Sequence, residues 1–217
     1  FRKMGHCALV VGDFKNGPKY LKKAMDLYKS LGDEDKWLMN VKRLALLYQL
    51  TGDYDQSVEY FKIAAKVEEK RRNYNQLQID YRSIAYNFML LNDEEEAVHY
   101  AKKALDLINS GKTDRIKAKP NWIKIGILGV EFPIWNLGHI GTGESTAAGG
   151  FTTDEEIALI YSILGYSALE RRSIKEAIKY LEKKLEIYRK REDSIAEAIF
   201  LNNIGYLYYL DWDYENA

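Results

Sequence analysis

A repeat of about 40 residues is the feature of this sequence that most constrains its fold. A small residue recurs in constant phase at Gly5, Ala45, Ala85, Gly165 and Gly205, with one period between successive copies and two periods between Ala85 and Gly165. Each is followed at a constant distance by a turn: Gly12-Asp13-Phe14, Gly52-Asp53-Tyr54, Asn92-Asp93-Glu94, Arg172-Ser173-Ile174 and Trp212-Asp213-Tyr214. A second small residue follows each turn, at Gly17, Ser57, Ala97, Ala177 and Ala217. A period that keeps its phase over this length predicts stacked units that cannot bury their apolar faces alone.

Residues 38–67 contain the clearest copy of the unit and predict two amphipathic helices. The apolar face of the first helix is formed by Leu44, Ala45, Leu47 and Tyr48. The apolar face of the second helix is formed by Val58, Phe61, Ala64 and Ala65. Gly52 and Asp53 break the helical pattern between them. Small residues on both helices predict a close approach of the two helix axes.

These residues resemble the tetratricopeptide repeat, in which a small residue and an aromatic lie on the first helix and Ala-x3-Phe-x2-Ala lies on the second. The usual repeat of that family has about 34 residues. The longer repeat of this chain is similar to those of kinesin light chains, spindle-orientation adaptors and bacterial peptide-pheromone sensors. HEAT-type helix pairs have periods of about 40 residues, but the Gly-Asp-aromatic turn favours the tetratricopeptide interpretation. The resemblance implies an all-α, right-handed superhelical solenoid of antiparallel helix pairs, interrupted by one irregular Gly-rich segment.

The register divides the chain into five repeats and one interruption. The predicted boundaries are 1–36 for repeat 1, 37–74 for repeat 2, 75–110 for repeat 3, 111–153 for the interruption, 154–192 for repeat 4 and 193–217 for repeat 5. The pattern is cut at both ends, which predicts a fragment of a longer array whose terminal repeats expose apolar surface.

Residues 111–153 interrupt the periodic pattern. They contain Pro120, Pro133 and eight of the fifteen glycines. Two interpretations are open: a degenerate repeat occupies the vacant position, or a segment as long as one period is inserted between adjacent helix pairs. We favour a partly helical segment from Asn121 to about Leu137, followed by a flexible Gly-rich loop. The apolar first half is expected to be buried, with the concave groove of the solenoid as the nearest candidate surface.

Composition limits the classes of partner and the compartment. The 32 basic and 32 acidic residues are balanced, which argues against nucleic-acid binding by this segment. Cys7 is the single cysteine, so an internal disulfide framework is excluded and a reducing, cytoplasmic location is predicted. The sequence has no uninterrupted apolar run long enough to span a bilayer, and we therefore predict no membrane-spanning helix.

Motifs that carry chemistry are incomplete in this sequence. Ser145 lies in Gly-Glu-Ser-Thr-Ala, which lacks the second glycine and the preceding strand of a hydrolase elbow, although His139 is near in sequence. Gly111-Lys112-Thr113 lacks the upstream glycine of a phosphate-binding loop, because residue 106 is Asp. The histidines and Cys7 show no metal-ligand spacing; the histidines are His6, His99 and His139. We predict no catalytic residue, no cofactor and no metal, and hence a protein that is not an enzyme.

The resemblance implies a ligand groove lined by the first helix of each pair. Carried over by register, the predicted peptide-binding residues are Lys42, Arg43, Leu46, Gln49, Arg82, Ser83, Tyr86, Met89, Ser162, Tyr166, Asn202, Asn203, Tyr206 and Tyr209. Basic side chains at one end could hold carboxylates, asparagines at the other could pair with a peptide backbone, and tyrosines supply contact area. The full lysine and asparagine clamp of the chaperone-binding members is not reproduced.

The predicted function is therefore protein–protein interaction, as a scaffold or adaptor that binds a peptide or helical segment of a partner in its concave groove. The predicted partner is another protein or peptide with acidic residues, and self-association through the exposed terminal repeats is a further prediction. The alternative is a peptide- or metabolite-sensing regulatory domain of a larger transcriptional regulator or signalling ATPase. In that case residues 121–140 could occupy the groove as a built-in competitor, and deleting 121–150 would strengthen partner binding.

Overall fold

The computed structural model describes residues 16–114 and 153–211, which form eight α-helices and no strand in those two ranges. The helices are α1 (Gly17–Ser30), α2 (Glu34–Leu50), α3 (Tyr54–Arg71), α4 (Tyr74–Leu90), α5 (Glu94–Asn109), α6 (Thr153–Glu170), α7 (Ile174–Lys190) and α8 (Ser194–Leu210). Short turns join successive helices within each range, so neighbours run antiparallel. The expectations for 121–137, Ser145 and His139 fall outside the described residues.

The short turns between these helices share one backbone geometry, and the turn after α2 shows it. Gly52 has a φ of 80°, in the left-handed region. The N–H of Asp53 donates to the carbonyl oxygen of Tyr48 at 2.9 Å, which satisfies one of the last carbonyls of α2. The carboxylate of Asp53 then accepts a hydrogen bond from the N–H of Gln56 and caps the start of α3. One short motif thus ends one helix and begins the next.

The left-handed residue recurs at half the period of the repeat, at positions 32, 52, 72 and 92 and again at 172 and 192. Glycine occupies only the first two of these positions; the others are Arg72, Asn92, Arg172 and Glu192. An L-residue with a side chain is strained in this conformation, whereas glycine is not. Each half of the repeat therefore contains one helix and one turn, even at the turns that have no glycine.

Replacing Arg172 with glycine is expected to raise the free energy of unfolding by about 0.5–1 kcal/mol, because it relieves this strain at φ 57°. Chemical denaturation would measure the change. Gly52→Ala is the reverse control and should lower stability by about 1 kcal/mol. No atom lies within 4 Å of a Cβ added at Gly52, so a loss there would come from the backbone conformation alone. An unchanged stability in both variants would contradict the explanation.

The helices stack in sequence order, each packing on the next from α1 to α8. In addition, α4 packs directly on α6. The third and fourth helix pairs are therefore neighbours in the stack, although the interruption separates α5 from α6 in the chain. The largest apolar cluster runs continuously from α2 to α6, and a second cluster joins α6, α7 and α8. Among the described residues, the all-α solenoid of antiparallel helix pairs predicted from the sequence is confirmed.

The small residues of the repeat differ in how much space their neighbours leave. Ala45 and Ala85 are completely buried in the largest cluster, as the predicted close approach requires. At Gly165, by contrast, an added Cβ would meet the Cβ of Tyr180 at 3.7 Å and the carbonyl oxygen of Ala177 at 4.0 Å, which are ordinary van der Waals distances. The helix packing of α6 on α7 therefore does not require glycine at this position.

Gly165→Ala is accordingly expected to stabilise the protein by about 0.5–1 kcal/mol, because alanine costs less backbone entropy than glycine inside a helix. Thermal unfolding followed by circular dichroism would measure it. Gly165→Leu is the size control: its side chain would reach beyond the available space towards Tyr180 and should destabilise by about 1–3 kcal/mol. A loss of stability with alanine would show that contact between α6 and α7 is tighter than these distances indicate.

Candidate functional site

The predicted groove residues occupy four recurring positions on the first helices α2, α4, α6 and α8. All four predicted residues on α8, the last helix that the structure describes, are exposed, whereas those on α2 and α4 are buried or partly buried. At one of these positions Leu46 is 5% exposed, Tyr86 is partly buried, Tyr166 is 43% exposed and Tyr206 is 60% exposed. The face is therefore covered by packing at α2 and exposed at α8, after which the structure describes no further helix. We call the residues at these four positions the first-helix face.

Lys42 lies on this face, but its charge is used inside the chain. Its Nζ lies 2.9 Å from Glu68 Oε1 on α3 and 2.9 Å from Asp80 Oδ2 on α4. It also donates to Gln76 Oε1 at 3.4 Å. The side chain of Lys42 is 14% exposed and that of Asp80 is 1% exposed. Lys42 thus links three helices, and an acidic ligand would have to compete with two internal carboxylates.

Arg82 makes the equivalent link one repeat further along. Its Nε lies 2.6 Å from Glu156 Oε2 on α6, and the two side chains are 2% and 4% exposed. By register, Lys42 and Arg82 are predicted to be cations available to a bound peptide. The structure corrects that expectation of availability, because the following first helix brings a carboxylate to each of them. This ion pair also joins α4 to α6 across the interruption.

Three further predicted residues lie inside the array. Arg43 is 3% exposed and Leu46 packs in the largest apolar cluster. Ser83 is buried and its hydroxyl donates to the carbonyl oxygen of Ile79 at 2.9 Å. These side chains are not available surface, because both helices of the pair and the neighbouring pairs cover this part of α2 and α4.

Burial sets the protonation of the carboxyl groups in these links. Burial raises the pKa of Asp80 to about 6, with the nearby Lys42 ammonium opposing the rise. Burial likewise raises the pKa of Glu156, against the opposing effect of Arg82. For Lys42, burial acts to lower the pKa, but the attraction of Asp80 and Glu68 outweighs it, so the pKa lies above its ordinary value. At pH 7 Asp80, with a pKa of about 6, is therefore ionised beside the protonated Lys42.

The remaining predicted residues lie partly or fully at the surface. Tyr166, Asn202, Asn203, Tyr206 and Tyr209 are exposed, and Gln49, Tyr86, Met89 and Ser162 are partly buried. The rings of Tyr206 and Tyr209 are stacked, with centroids 6.4 Å apart. A shallow depression in α8 is lined by Leu201, Asn202, Asn203, Gly205 and Tyr206. The structure therefore brings together the predicted residues of α8 and separates them from the buried cations of α2 and α4.

The carboxylate partners were missed by the sequence analysis, although the register of the repeat contains a signal for them. Lys42 and Arg82 occupy the same position of successive repeats. Gln76, an amide that accepts from Lys42, and Glu156 also share one position, with the interruption between them, whereas Glu68 and Asp80 have no acidic counterpart at their equivalent positions. Comparing polar residues at equivalent positions would therefore have indicated internal pairing. Lys184, whose amine reaches Ser162, gave no such signal because its equivalents in the earlier repeats are alanines.

Other site types find no support in the described ranges. Within residues 16–114 and 153–211, no three His, Cys, Asp or Glu side chains form a group that could hold a metal ion. In the same part of the chain, none of the helices combines the length and apolar character needed to cross a membrane. The cytoplasmic location stays a prediction.

Comparisons with known proteins agree with this architecture. Residues 43–71, which span the end of α2 and all of α3, match the model of the tetratricopeptide repeat family. The crystal structure of BtubC (BKLC) from P. vanneervenii superposes with a TM-score of 0.67 at 17% identity, covering 98% of this chain and 72% of that one. A Podosopora anserina protein described as a putative kinesin light chain with nearly identical TPR-like repeats superposes with a TM-score of 0.64 at 12% identity, covering 98% and 86%. No curated protein sequence matches the chain.

The chain is therefore similar in fold to kinesin light chain-like repeat proteins over almost its whole length. At these identities the structural likeness concerns the fold. Repeats of the tetratricopeptide type generally mediate protein–protein interaction, and folds of this kind are typically not enzymes.

Proposed function

We propose that this array of tetratricopeptide-type repeats is a protein-interaction module that binds a peptide or helical segment of a partner on the first-helix face of α6 and α8. One observation carries the proposal: the residues of this face change from buried or partly buried at α2 and α4 to exposed tyrosines at α6 and α8. Tyr166 is 43%, Tyr206 is 60% and Tyr209 is 56% exposed.

Exposed tyrosines at helical spacing suit recognition of another polypeptide. A tyrosine side chain offers a large contact area with only two rotatable side-chain bonds, so little entropy is lost on binding. The mutual stacking of Tyr206 and Tyr209 restricts them further before a partner arrives. Asn202 and Asn203 lie one turn before these rings and could donate to and accept from the backbone of an extended segment. The anchors of the partner would be apolar or aromatic side chains.

Selection from a random-sequence peptide library displayed on phage would test the proposal, because it does not presuppose a partner. Selected peptides are expected to lose at least about tenfold in affinity for the Tyr206→Ala/Tyr209→Ala variant, since aromatic anchors dominate such interfaces. Ile63→Ala is the matched control, because Ile63 is an apolar residue on the second helix α3 with 40% exposure. It should leave affinity unchanged.

Three results would contradict the proposal: no enrichment of any peptide sequence, enrichment of peptides that bind the double variant equally well, or peptides that depend on Ile63 instead. Circular dichroism of both variants would show whether the helices are retained. Because all three substituted residues are exposed, a loss of fold is not expected.

A further inference from the structure

Lys184 occupies an unusual position between three helices. It lies on α7, its Nζ donates to Ser162 Oγ on α6 at 2.7 Å, and the amine lies 4.4 Å from the centroid of the Phe200 ring on α8. The side chain is partly buried, and Ser162 beside it is partly exposed on the first-helix face. The amine is thus withdrawn from bulk water but can be reached from the face on which we place the partner.

The two preceding junctions of the array each pair a cation with an internal carboxylate. Lys42 has Glu68 and Asp80, and Arg82 has Glu156. In repeats 4 and 5 the positions of Glu68, Asp80 and Glu156 are occupied by Tyr188, Phe200 and Ala196, respectively. Among the residues that the structure describes, Lys184 has no carboxylate within ion-pair distance. At the third junction Ser162 occupies the position of Lys42 and Arg82, and Lys184 from the second helix places a cation beside it without an internal acid.

Of the eight acidic side chains on the three packed helices, Asp154, Glu170 and Glu186 lie beyond ion-pair distance of Lys184, and the other five are engaged elsewhere. On α6, Glu155 pairs with Arg191 and Glu156 pairs with Arg82. The remaining engaged carboxylates of α7 and α8 are Glu176 with Arg171, Glu182 with the hydroxyl of Tyr208, and Glu197 with Arg189. The electrostatic environment of Lys184 thus consists of a hydroxyl dipole and an aromatic face. Burial lowers the pKa of Lys184 to about 8, because the ammonium loses water without gaining a counter-charge.

We propose that the Nζ of Lys184, positioned by the hydroxyl of Ser162, is a binding site for one carboxylate group of the partner. That hydroxyl accepts from Lys184 and donates to the carbonyl oxygen of Ala158 at 2.9 Å, so the ammonium is the group that donates to the ligand. The proposal rests on the proposed function and adds to it the chemistry of the ligand. A carboxylate placed here would complete the ion pair that the other junctions form internally and would receive a charge-assisted hydrogen bond. Phe200 supports the charged amine through its ring face. The cation lies on the second helix of its pair, unlike the cations predicted from the sequence.

Acetate is the simplest probe of this site. In protein labelled with ¹³C in its lysines, saturating acetate should shift the side-chain resonance of Lys184 and raise its pKa relative to chloride at the same ionic strength. Lys183 lies on the same helix as Lys184 and is the matched control, because its amine also lies over aromatic rings, those of Tyr161 and Tyr180. If Lys184 responds no more than Lys183, the proposal is overturned.

Peptides from the library selection would identify the source of the carboxylate. Each is compared as a free acid, as a C-terminal amide and with its acidic side chains changed to amides. Lys184→Met should lower the affinity of the carboxylate-bearing form at least about tenfold and leave the neutral form unchanged, while Lys183→Met should change neither. Between pH 7 and pH 9 the affinity of the carboxylate form should fall about tenfold, as a free amine with a pKa of about 8 loses its proton.

The two proposals fail in different ways. Peptides that depend on Tyr206 and Tyr209, but not on Lys184 or on any carboxylate, would overturn the carboxylate site and leave the proposed function standing. A Lys184-specific response to acetate, without enrichment of any peptide, would support the anion site and overturn the proposed function. Lys184→Arg is the control for a loss of helix content in Lys184→Met. It keeps the charge and should retain binding of the carboxylate form.

Discussion

Arg82→Met is expected to lower the free energy of unfolding by about 3–5 kcal/mol, the usual cost of leaving one partner of a buried ion pair uncompensated. Both side chains of the pair are almost completely buried, at 2% and 4% exposure. Burial already raises the pKa of Glu156, and removing the guanidinium removes the main opposing effect. The variant should therefore regain part of its stability as the pH falls and Glu156 takes up a proton. Urea denaturation at pH 7 and pH 5 would measure both effects.

Two variants make this result specific to the buried pair. In Arg82→Met/Glu156→Leu both charges are removed together, and stability should return to within about 1–2 kcal/mol of the original or exceed it. Arg71→Met removes a pair at the surface, where Glu34 and Asp35 are 60% and 86% exposed, and should cost no more than about 1 kcal/mol. Equal losses for Arg82→Met and Arg71→Met would show that the α4–α6 link does not stabilise the array.

The helices and their order could be predicted from the sequence because they depend on local signals. Apolar residues at three- and four-residue spacing, and acidic N-caps such as Asp53 and Asp93, are properties of a few neighbouring residues. The end of one helix and the start of the next follow from one turn motif that recurs twice in every period. Arg172 and Glu192 show that the motif persists even when its residue type is unfavourable. Packing over many repeats is strong enough to impose the left-handed conformation on these side chains.

The role of the charged residues could not be predicted in the same way. Lys42 and Arg82 lie at register positions that in the resembled family face a ligand, and sequence alone gives no burial for them. Whether their charges are available to a ligand depends on Asp80 and Glu156, which lie on other helices. Glu156 also lies beyond the interruption. A long-range pairing of this kind becomes visible only when the stacking order is known. Tyr206 and Tyr209 of α8 are exposed in the structure, and their binding role stays a prediction.

The internal pairing changes what kind of partner the face can select. Where the acid is supplied within the chain, as for Lys42 and Arg82, the charge stabilises the stack and offers little to a ligand. Where it is missing, as for Lys184, the same chemistry is left for a partner to complete. Under the proposed carboxylate site, Ala196 and Phe200 stand at positions that carry acidic residues in earlier repeats and leave the charge of Lys184 to the partner.

Lys42→Met is the second substitution with a large expected effect, because it leaves two buried carboxylates, Glu68 and Asp80, without their shared cation. We expect a loss of about 3–5 kcal/mol at pH 7. The pKa of Asp80 is about 6 in the folded protein and 3.8 as an ordinary value, so the folded state binds more protons between these pH values. The contribution of Asp80 to stability therefore falls as the pH rises from about 4 to about 6, and it is constant above that range.

Asp80→Asn tests this sign, because asparagine keeps the shape of the side chain and does not titrate. Relative to the original protein, the variant should gain stability as the pH rises from 4 to 6, and the difference should be level from pH 7 to 8. In Lys42→Met the pKa of Asp80 should rise further, so the penalty should be smallest at the acidic end of the range. A buried carboxylate with a lowered pKa would give the opposite slope. Urea denaturation of the three proteins across pH 4–8 therefore shows whether ionisation of Asp80 destabilises or stabilises the folded protein.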